Sequence, residues 1–259
     1  MQKNGSMLQH ERQEAIAVLA VRHGSVDVSD LAGRFGVTTE TIRRDLSDMQ
    51  RRQLVRRVHG GAVPMRRTGY EPMVDARDMV NAAEKLRIAT QAIGEVPKRG
   101  SVIIDSGSTG QSLAQVFPVD RDVHVVTNSL LTAVTLVRRG IRELTVLGGA
   151  VRTNTLAMVD DTVVTELAGM AIDVLFISCD GLSFQYGLTT PNRAERSVKR
   201  AMIERADRVV AIVDQSKFGN VEMFSFAAFD DIDVLITDER VDPGAVEALE
   251  DHDLVVHRV

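Results

Sequence analysis

Val37-Thr38-Thr39-Glu40-Thr41-Ile42-Arg43-Arg44-Asp45-Leu46 reads as a turn running into a short, basic helix. The Thr38 hydroxyl can accept an orphan backbone N–H of the first turn and so cap it. Ile42, Leu46 and Met49 recur at i, i+4 and i+7 and share the face to be buried. Glu40, Arg44, Ser47 and Arg51 point roughly the other way, with Thr41 and Arg43 on the flanks. An amphipathic helix with arginines near its start suits a DNA groove. Taken alone, however, an arginine pair on a helix is an ordinary solvated face, so its surroundings decide.

Upstream, Ile16, Leu19 and Ala20 make the inner stripe of a first helix that stops at Gly24. Ser29 is expected to cap a second helix, Asp30 to Phe35, with Leu31 and Phe35 one turn apart, and Gly36 ends it. Two helices joined by a three- or four-residue turn containing glycine are the mark of a helix-turn-helix. Downstream, Leu54-Val55-Arg56-Arg57-Val58 alternates enough for a short strand, and His59-Gly60-Gly61-Ala62 turns it back, which is the place for a wing. The expected unit is a winged helix-turn-helix.

Thr41-Ile42-Arg43-Arg44-Asp45-Leu46 followed by Arg57-Val58-His59-Gly60-Gly61-Ala62 resembles the DeoR family of bacterial transcription regulators, and the likeness continues almost to the C-terminus. The family often carries Ser at the position of Thr38; either residue can cap.

At 259 residues there is room for a small module and one larger domain. Hydrophobic residues at 44% and charged residues at 26% fit a soluble globular chain. No apolar run is long enough to span a bilayer and no signal-peptide core is present, so the expected location is cytoplasmic, with no membrane partner. Met1 to Met7 is polar and reads either as a disordered tip or as an expression scar. The single cysteine, Cys179, excludes an intrachain disulfide and is expected to be a buried, inert thiol. With one cysteine and six scattered histidines, no metal site and no cofactor are expected.

The net charge of −5 hides an asymmetry. Residues 1–67 hold 12 Lys+Arg against 7 Asp+Glu, a net of +5, which leaves −10 for the rest. A basic module on an acidic body fits polyanion binding at one end only.

The expected organisation is 8–64 as the DNA-binding module, 65–84 as a connector and 85–259 as an α/β sensing and oligomerisation domain. The connector, with Pro64, Arg66-Arg67, Gly69 and Pro72, reads either as a loose linker or as a packed arm. Glu71-Pro72, Arg77, Asn81 and Lys85 resemble the family's connector. Beyond it, strands are expected at Val102–Asp105, Val123–Thr127, Leu144–Leu147, Val174–Ser178, Val209–Val213, Val234–Thr237 and Leu254–His257. Helices are expected between most of them, for example Lys85–Ile93, Gln111–Phe117, Leu130–Arg138 and Glu195–Ala206. Aliphatic strands alternating with helices imply a mostly parallel sheet covered on both faces. The fold class is therefore α/β, a winged helix-turn-helix joined to a larger, Rossmann-like effector domain.

The residues just beyond the strands are informative. Asp105 precedes Ser106-Gly107-Ser108-Thr109-Gly110, and later strands end in Thr127-Asn128-Ser129, Gly148-Gly149, Cys179-Asp180-Gly181 and Asp214-Gln215-Ser216-Lys217. Parallel strands bring these ends to one edge, where open α/β sheets bind ligands. Ser106 to Gly110 combines glycines, hydroxyls and a helix start, a cradle for phosphate, though an ordinary strand-to-helix turn would look similar. It is not a Walker loop, because no Lys stands at the required position. Lys217 can add a cation or be a solvated lysine. Asp180, Glu195 and Lys199 can hydrogen-bond ligand hydroxyls or simply pair with one another; Glu195 and Lys199, at i and i+4, have the spacing of an ordinary helix-surface pair.

The resemblance implies an effector domain similar in fold to ribose-5-phosphate isomerase, recognising a phosphorylated sugar or related metabolite. On that likeness Asp105, Ser106, Gly107, Ser108, Thr109, Asn128, Asp180, Gly181, Glu195 and Lys217 surround the ligand. One departure stands out: the family usually has Gly after the apolar pair Met158-Val159, where this chain has Asp160-Asp161. Two added carboxylates would either disfavour a highly charged ligand or merely cap a helix.

The leading reading is a sugar-phosphate-responsive repressor of a carbohydrate-metabolism operon, a homodimer or homotetramer on double-stranded operator DNA. Thr38 caps the recognition helix; Thr39, Thr41, Arg43 and Arg44 are candidates for groove contacts; Arg56, Arg57 and His59 for wing contacts, His59 being equally suited to a structural role. The alternative is an isomerase-like enzyme with an accessory DNA module, using Asp105, Asp180 and Glu195 as acid–base groups and Lys217 to stabilise an enediolate. It leaves the winged module unexplained. A purely architectural DNA-binding protein would leave the cradle unexplained.

Overall fold

A computed structural model describes residues 8–23, 25–51, 54–58, 60–64, 74–250, 252 and 254–259. The chain divides into two compact units, Met1–Pro72 and Met73–Val259.

The first unit holds α1 (Gln9–His23), β1 (Val26–Asp27), α2 (Val28–Phe35), α3 (Thr39–Arg51), β2 (Val55–Val58) and β3 (Gly61–Pro64). Ile42, Leu46 and Met49 are fully buried against Ile16, Ala20, Leu31, Val55 and Ala62. Each such side chain contributes roughly 1.5–3 kcal/mol on leaving water. Asp45 is also buried, and its carboxylate accepts from Arg12 Nε at 2.6 Å, so the acidic residue beside the two arginines braces α1 against α3. The strands form the sheet β1-β3-β2, with β2 and β3 antiparallel as a wing requires.

One local expectation is corrected. The cap of α2 is Asp27, whose Oδ1 accepts from the N–H groups of Ser29 at 2.6 Å and Asp30 at 3.2 Å. Val28 buries its side chain in the core, so the helix begins a half-turn earlier than Ser29 alone suggests.

The second unit opens with α4 (Val74–Met79) and α5 (Ala82–Ala92), followed by β4 (Arg99–Ile104), α6 (Ser108–Val116), β5 (Asp122–Thr127), α7 (Leu130–Arg139) and β6 (Leu144–Val146). A hairpin, β7 (Ala150–Arg152) and β8 (Ala157–Val159), precedes α8 (Asp161–Ala168), β9 (Ile172–Ile177), β10 (Gly181–Ser183), β11 (Gly187–Thr190) and α9 (Arg193–Ile203). The chain ends with β12 (Ala206–Ile212), β13 (Phe224–Ala227), β14 (Val234–Thr237), α10 (Pro243–Glu250) and β15 (Val255–Arg258).

All seven expected strands lie in one sheet of order β15-β14-β12-β9-β4-β5-β6, and every neighbouring pair is parallel. Alternate residues serve opposite faces, as strand geometry demands. Val102, Ile104, Val174 and Phe176 pack under α5, α6 and α7, while Ile103, Leu175 and Ile177 join the core under α8 and α9. The first strand of the sheet, β4, therefore sits beside the fourth, β9. Strand order reverses there; the edge formed by the C-terminal strand ends at this point, the crevice, is where open α/β sheets bind ligands.

Beyond the expected elements, β10, β11 and β13 form a small antiparallel sheet, and β7 and β8 a separate hairpin. Among the described residues no helix is long and apolar enough to cross a membrane.

Candidate DNA-binding and effector sites

On α3, Thr38 Oγ1 accepts from the N–H of Thr41 at 3.1 Å, so the expected cap is present, and it also contacts Thr41 Oγ1 at 2.9 Å. Thr39, Glu40, Arg43 and Arg44 are exposed on the first two turns. Glu40 lies 3.7 Å from Arg43, a solvent-exposed pair that steers the guanidinium without holding it. Arg57 stitches the wing to the helix: its Nη1 donates to Ser47 Oγ at 2.9 Å and its N–H to Gln50 Oε1 at 3.1 Å. Arg57 thus sets the wing's position against the helix as well as presenting charge. The contacts expected of the Arg56 side chain and of His59 lie outside the described residues.

In the second unit the crevice is built from the strand ends. Gly107, at φ 122, starts α6 in a backbone region open to glycine. A Cβ on Gly110 would stand 2.4 Å from the carbonyl oxygen of Asp105, so only glycine allows the helix to rise this close to β4. Ser106, Ser108 and Thr109 are buried around this turn. Side chains cap three neighbouring helices, Ser129 on α7, Asp160 on α8 and Asn192 on α9, whereas no side chain caps α6. Its first N–H groups carry the positive end of the helix dipole toward the crevice.

Asn128 fixes the cradle from the next strand. Its Oδ1 accepts from Ser106 N at 3.0 Å, and its Nδ2 donates to Met158 O at 3.2 Å.

Asp105 is buried and ion-paired with Lys199, which also donates to Ser178 O at 2.9 Å. Glu195 and Lys199 are therefore not a surface pair: both are buried on the inward face of α9. Burial pushes the Asp105 carboxyl above its ordinary range against the pull of Lys199. For Lys199 burial favours the neutral amine, but Asp105 and Glu195 outweigh it and raise the ammonium above its usual value. Both Glu195 oxygens are occupied, Oε1 by Arg152 and by Thr155 at 3.0 Å, Oε2 by Thr190 at 3.1 Å. Glu195 thereby clamps the β7–β8 hairpin to α9.

Asp180, at the end of β9, accepts from Arg77 at 2.7 Å. Burial would raise its carboxyl, but Arg77, Lys217 and Lys199 together hold it below the usual range. Asp214 is likewise lowered against burial, by Lys217 and then Lys85, and accepts from Asn81 Nδ2 at 2.6 Å. Lys217 is half-buried, and its charge acts on both of these carboxylates. Gly181 serves packing, since a Cβ there would lie 2.5 Å from Asn220 O. Burial pushes the Cys179 thiol up to about 12, consistent with an inert thiol.

Of the acidic pair Asp160-Asp161, Asp160 has a capping role. It caps α8, accepting from Thr162 N at 2.8 Å and from Ala150 N at 2.9 Å. It does so at φ 123 and ψ −173, a conformation that belongs to glycine.

Arg77 bonds to Asp180, Arg152 to Glu195, Asn81 to Asp214 and Lys85 to the carbonyls of Arg77 and Val80, and none of the four was singled out as a site residue from sequence. The signal available was the connector's likeness to the family; the partners lie too far along the chain to be read from spacing. Among the described residues no group of His, Cys, Asp or Glu is arranged to hold a metal.

A winged helix-turn-helix unit and a parallel α/β unit with a polar crevice at its strand-order reversal define a DNA-binding regulator with a sensing domain. Residues 12–68 match the DeoR-like helix-turn-helix domain and residues 80–239 the DeoR C-terminal sensor domain. The chain belongs to the DeoR family and is a DNA-binding transcriptional regulator. It is 33% identical over 253 residues to the uncharacterized HTH-type transcriptional regulator YulB of Bacillus subtilis (strain 168), covering 98% of each chain. It is 28% identical over 246 residues to the glycerol-3-phosphate regulon repressor of Escherichia coli (strain K12), covering 95% of this chain and 97% of that one. Among solved structures, ribose 5-phosphate isomerase A of Methanocaldococcus jannaschii matches 53% of this chain and 55% of its own, at 16% identity and a TM-score of 0.40.

Proposed function

We propose that the protein is a cytoplasmic repressor of a carbohydrate-metabolism operon whose hold on double-stranded operator DNA is set by a phosphorylated sugar or polyol bound in the sheet-edge crevice. The observation that carries this reading is the start of α6, which no side chain caps, inside the Ser106–Gly110 turn. Backbone N–H groups at a helix N-terminus and neighbouring hydroxyls are a phosphate's natural partners. In this reading Ser106, Gly107, Ser108 and Thr109 hold the phosphate and Lys217 contributes a cation. Asp180 takes a ligand hydroxyl, while Asp105, Asn128, Gly181 and Glu195 shape the walls. The name of the Escherichia coli relative, a glycerol-3-phosphate regulon repressor, supports a small phosphorylated effector.

At the DNA, α3 enters the major groove with Thr39, Thr41, Arg43 and Arg44, held in register by the Thr38 cap. Arg56, Arg57 and His59 reach the backbone or minor groove. One module makes too few contacts for tight selectivity, so a homodimer or homotetramer spans repeated half-sites.

The test is binding of the purified full chain to its own upstream DNA, titrated with glycerol 3-phosphate, ribose 5-phosphate and fructose 6-phosphate. Release or tightening of the complex by one of them at micromolar levels is the expected result. DNA binding indifferent to all three would overturn the phosphate reading.

A further inference from the structure

The segment after the DNA-binding unit in the chain is fastened to the effector crevice on several sides. Val74 N donates to Asn154 O at 2.8 Å, in the turn of the hairpin whose Arg152 and Thr155 hold Glu195. Arg77 reaches Asp180 at the end of β9, and Asn81 reaches Asp214 beyond the end of β12. Lys85 turns back and donates to the carbonyls of Arg77 at 2.6 Å and Val80 at 2.8 Å, closing the C-terminal end of α4. The helix itself packs against α6, the helix that begins in the cradle.

These attachments are mostly polar. Val74 is buried, but Met79 at the other end of α4 is 71% exposed. A strap held by apolar burial would be indifferent to what enters a polar crevice. This one depends on Asp180 and Asp214, whose charge is balanced between Arg77, Lys85 and Lys217. Any anion or hydroxyl brought against those groups changes the free energy of the strap's own bonds. A ligand shifts an equilibrium only through such differential interactions.

We propose that residues 74–85 are the element that transmits effector occupancy to the DNA-binding unit, with the Arg77–Asp180 pair as its latch. The proposal rests on the effector reading above and adds to it a positioning residue, Arg77, that acts through the strap. Loosening or tightening the latch changes how residues 74–85, which follow the winged unit in the chain, are held.

The experiment uses the full chain, an operator fragment selected from random-sequence DNA, and the variants Arg77→Gln and Arg77→Lys. Direct binding of glycerol 3-phosphate, ribose 5-phosphate and fructose 6-phosphate is measured by calorimetry, and operator affinity with and without each. In Arg77→Gln the affinity for whichever phosphate binds stays within about fivefold of the native value, while its effect on operator affinity collapses toward none. Arg77→Lys restores part of the response. A full response in Arg77→Gln, or a lost response matched by an equal loss of phosphate affinity, would overturn the latch. If none of the three binds, the effector reading fails by itself, and hydrogen exchange decides the strap. Coupling is reciprocal, so operator DNA must alter protection of amides 74–85, and unchanged protection overturns the proposal.

Discussion

Lys199 on α9 and Asp105 at the end of β4 form a buried ion pair, although 94 residues separate them in the chain. With Ser178 O as a further acceptor, the ammonium joins β4, β9 and α9 at the point where strand order reverses. The floor of the crevice is thus an electrostatic joint.

Lys199→Met should destabilise the sensor unit by about 3–5 kcal/mol, because it strands a buried carboxylate. Adding Asp105→Asn should recover part of that loss. Denaturant unfolding of the two variants measures this, and a single variant as stable as the native chain would remove the joint's structural role.

For DNA recognition, Arg43→Ala or Arg44→Ala should weaken operator binding by about 1–3 kcal/mol where the arginine makes a bidentate base contact. Titrations at several salt concentrations separate base from phosphate contacts. Unchanged affinity in both variants would remove α3 as the reading helix.

At the cradle, the Thr109→Val, Lys217→Ala double variant should abolish the thermal shift produced by sugar phosphates while leaving operator binding in their absence intact. A shift of native size would show that phosphate sits elsewhere.

Lys85 supplies a pH signature. Burial lowers its ammonium from 10.5 to about 8, with Asp214 as the chief opposing influence. Below about 8 it is charged in both the folded and unfolded chain, and the cost of burying that charge is fully present. Between about 8 and 10.5 the unfolded chain binds more protons, so stability rises with pH, by on the order of 3 kcal/mol for a shift of this size. Unfolding midpoints across this range should climb in the native chain relative to Lys85→Met. Parallel curves would contradict the assignment.

Asp160 separates backbone strain from capping. Asp160→Gly relieves the strain at φ 123 but loses the bonds to Ala150 and Thr162; Asp160→Ala loses the bonds and keeps the strain. The glycine variant should therefore melt clearly above the alanine variant. Equal melting temperatures would mean that the backbone there carries no strain.

The sequence was most legible where physics is local. The Thr38 cap and the Ile42, Leu46, Met49 stripe need only a helix to be understood. The seven sheet strands were readable because buried parallel strands are runs of aliphatic residues. By contrast, β10 and β11, written Gly-Leu-Ser and Gly-Leu-Thr-Thr, are too short and mixed to show a period. Asp27 and Ser29 are both capping residues, and burial of Val28 chose between them. Glu195 and Lys199 looked like solvated charges because Arg152 and Asp105, which make their burial tolerable, lie on distant elements. The same distance hid Arg77 and Asn81, whose partners are 103 and 133 residues away.

The strand order has a consequence for synthesis. In the first unit the Arg12–Asp45 contact closes a loop of only 33 residues. At the centre of the large sheet, Ser101 must wait for Asp173, 72 residues later, before its N–H finds the carboxylate at 2.6 Å. Longer loops are closed later and more slowly. On the ribosome the winged unit can therefore assemble while the middle of the sheet still lacks its neighbour. For that interval the nascent chain carries a DNA-binding module with no sensor to govern it.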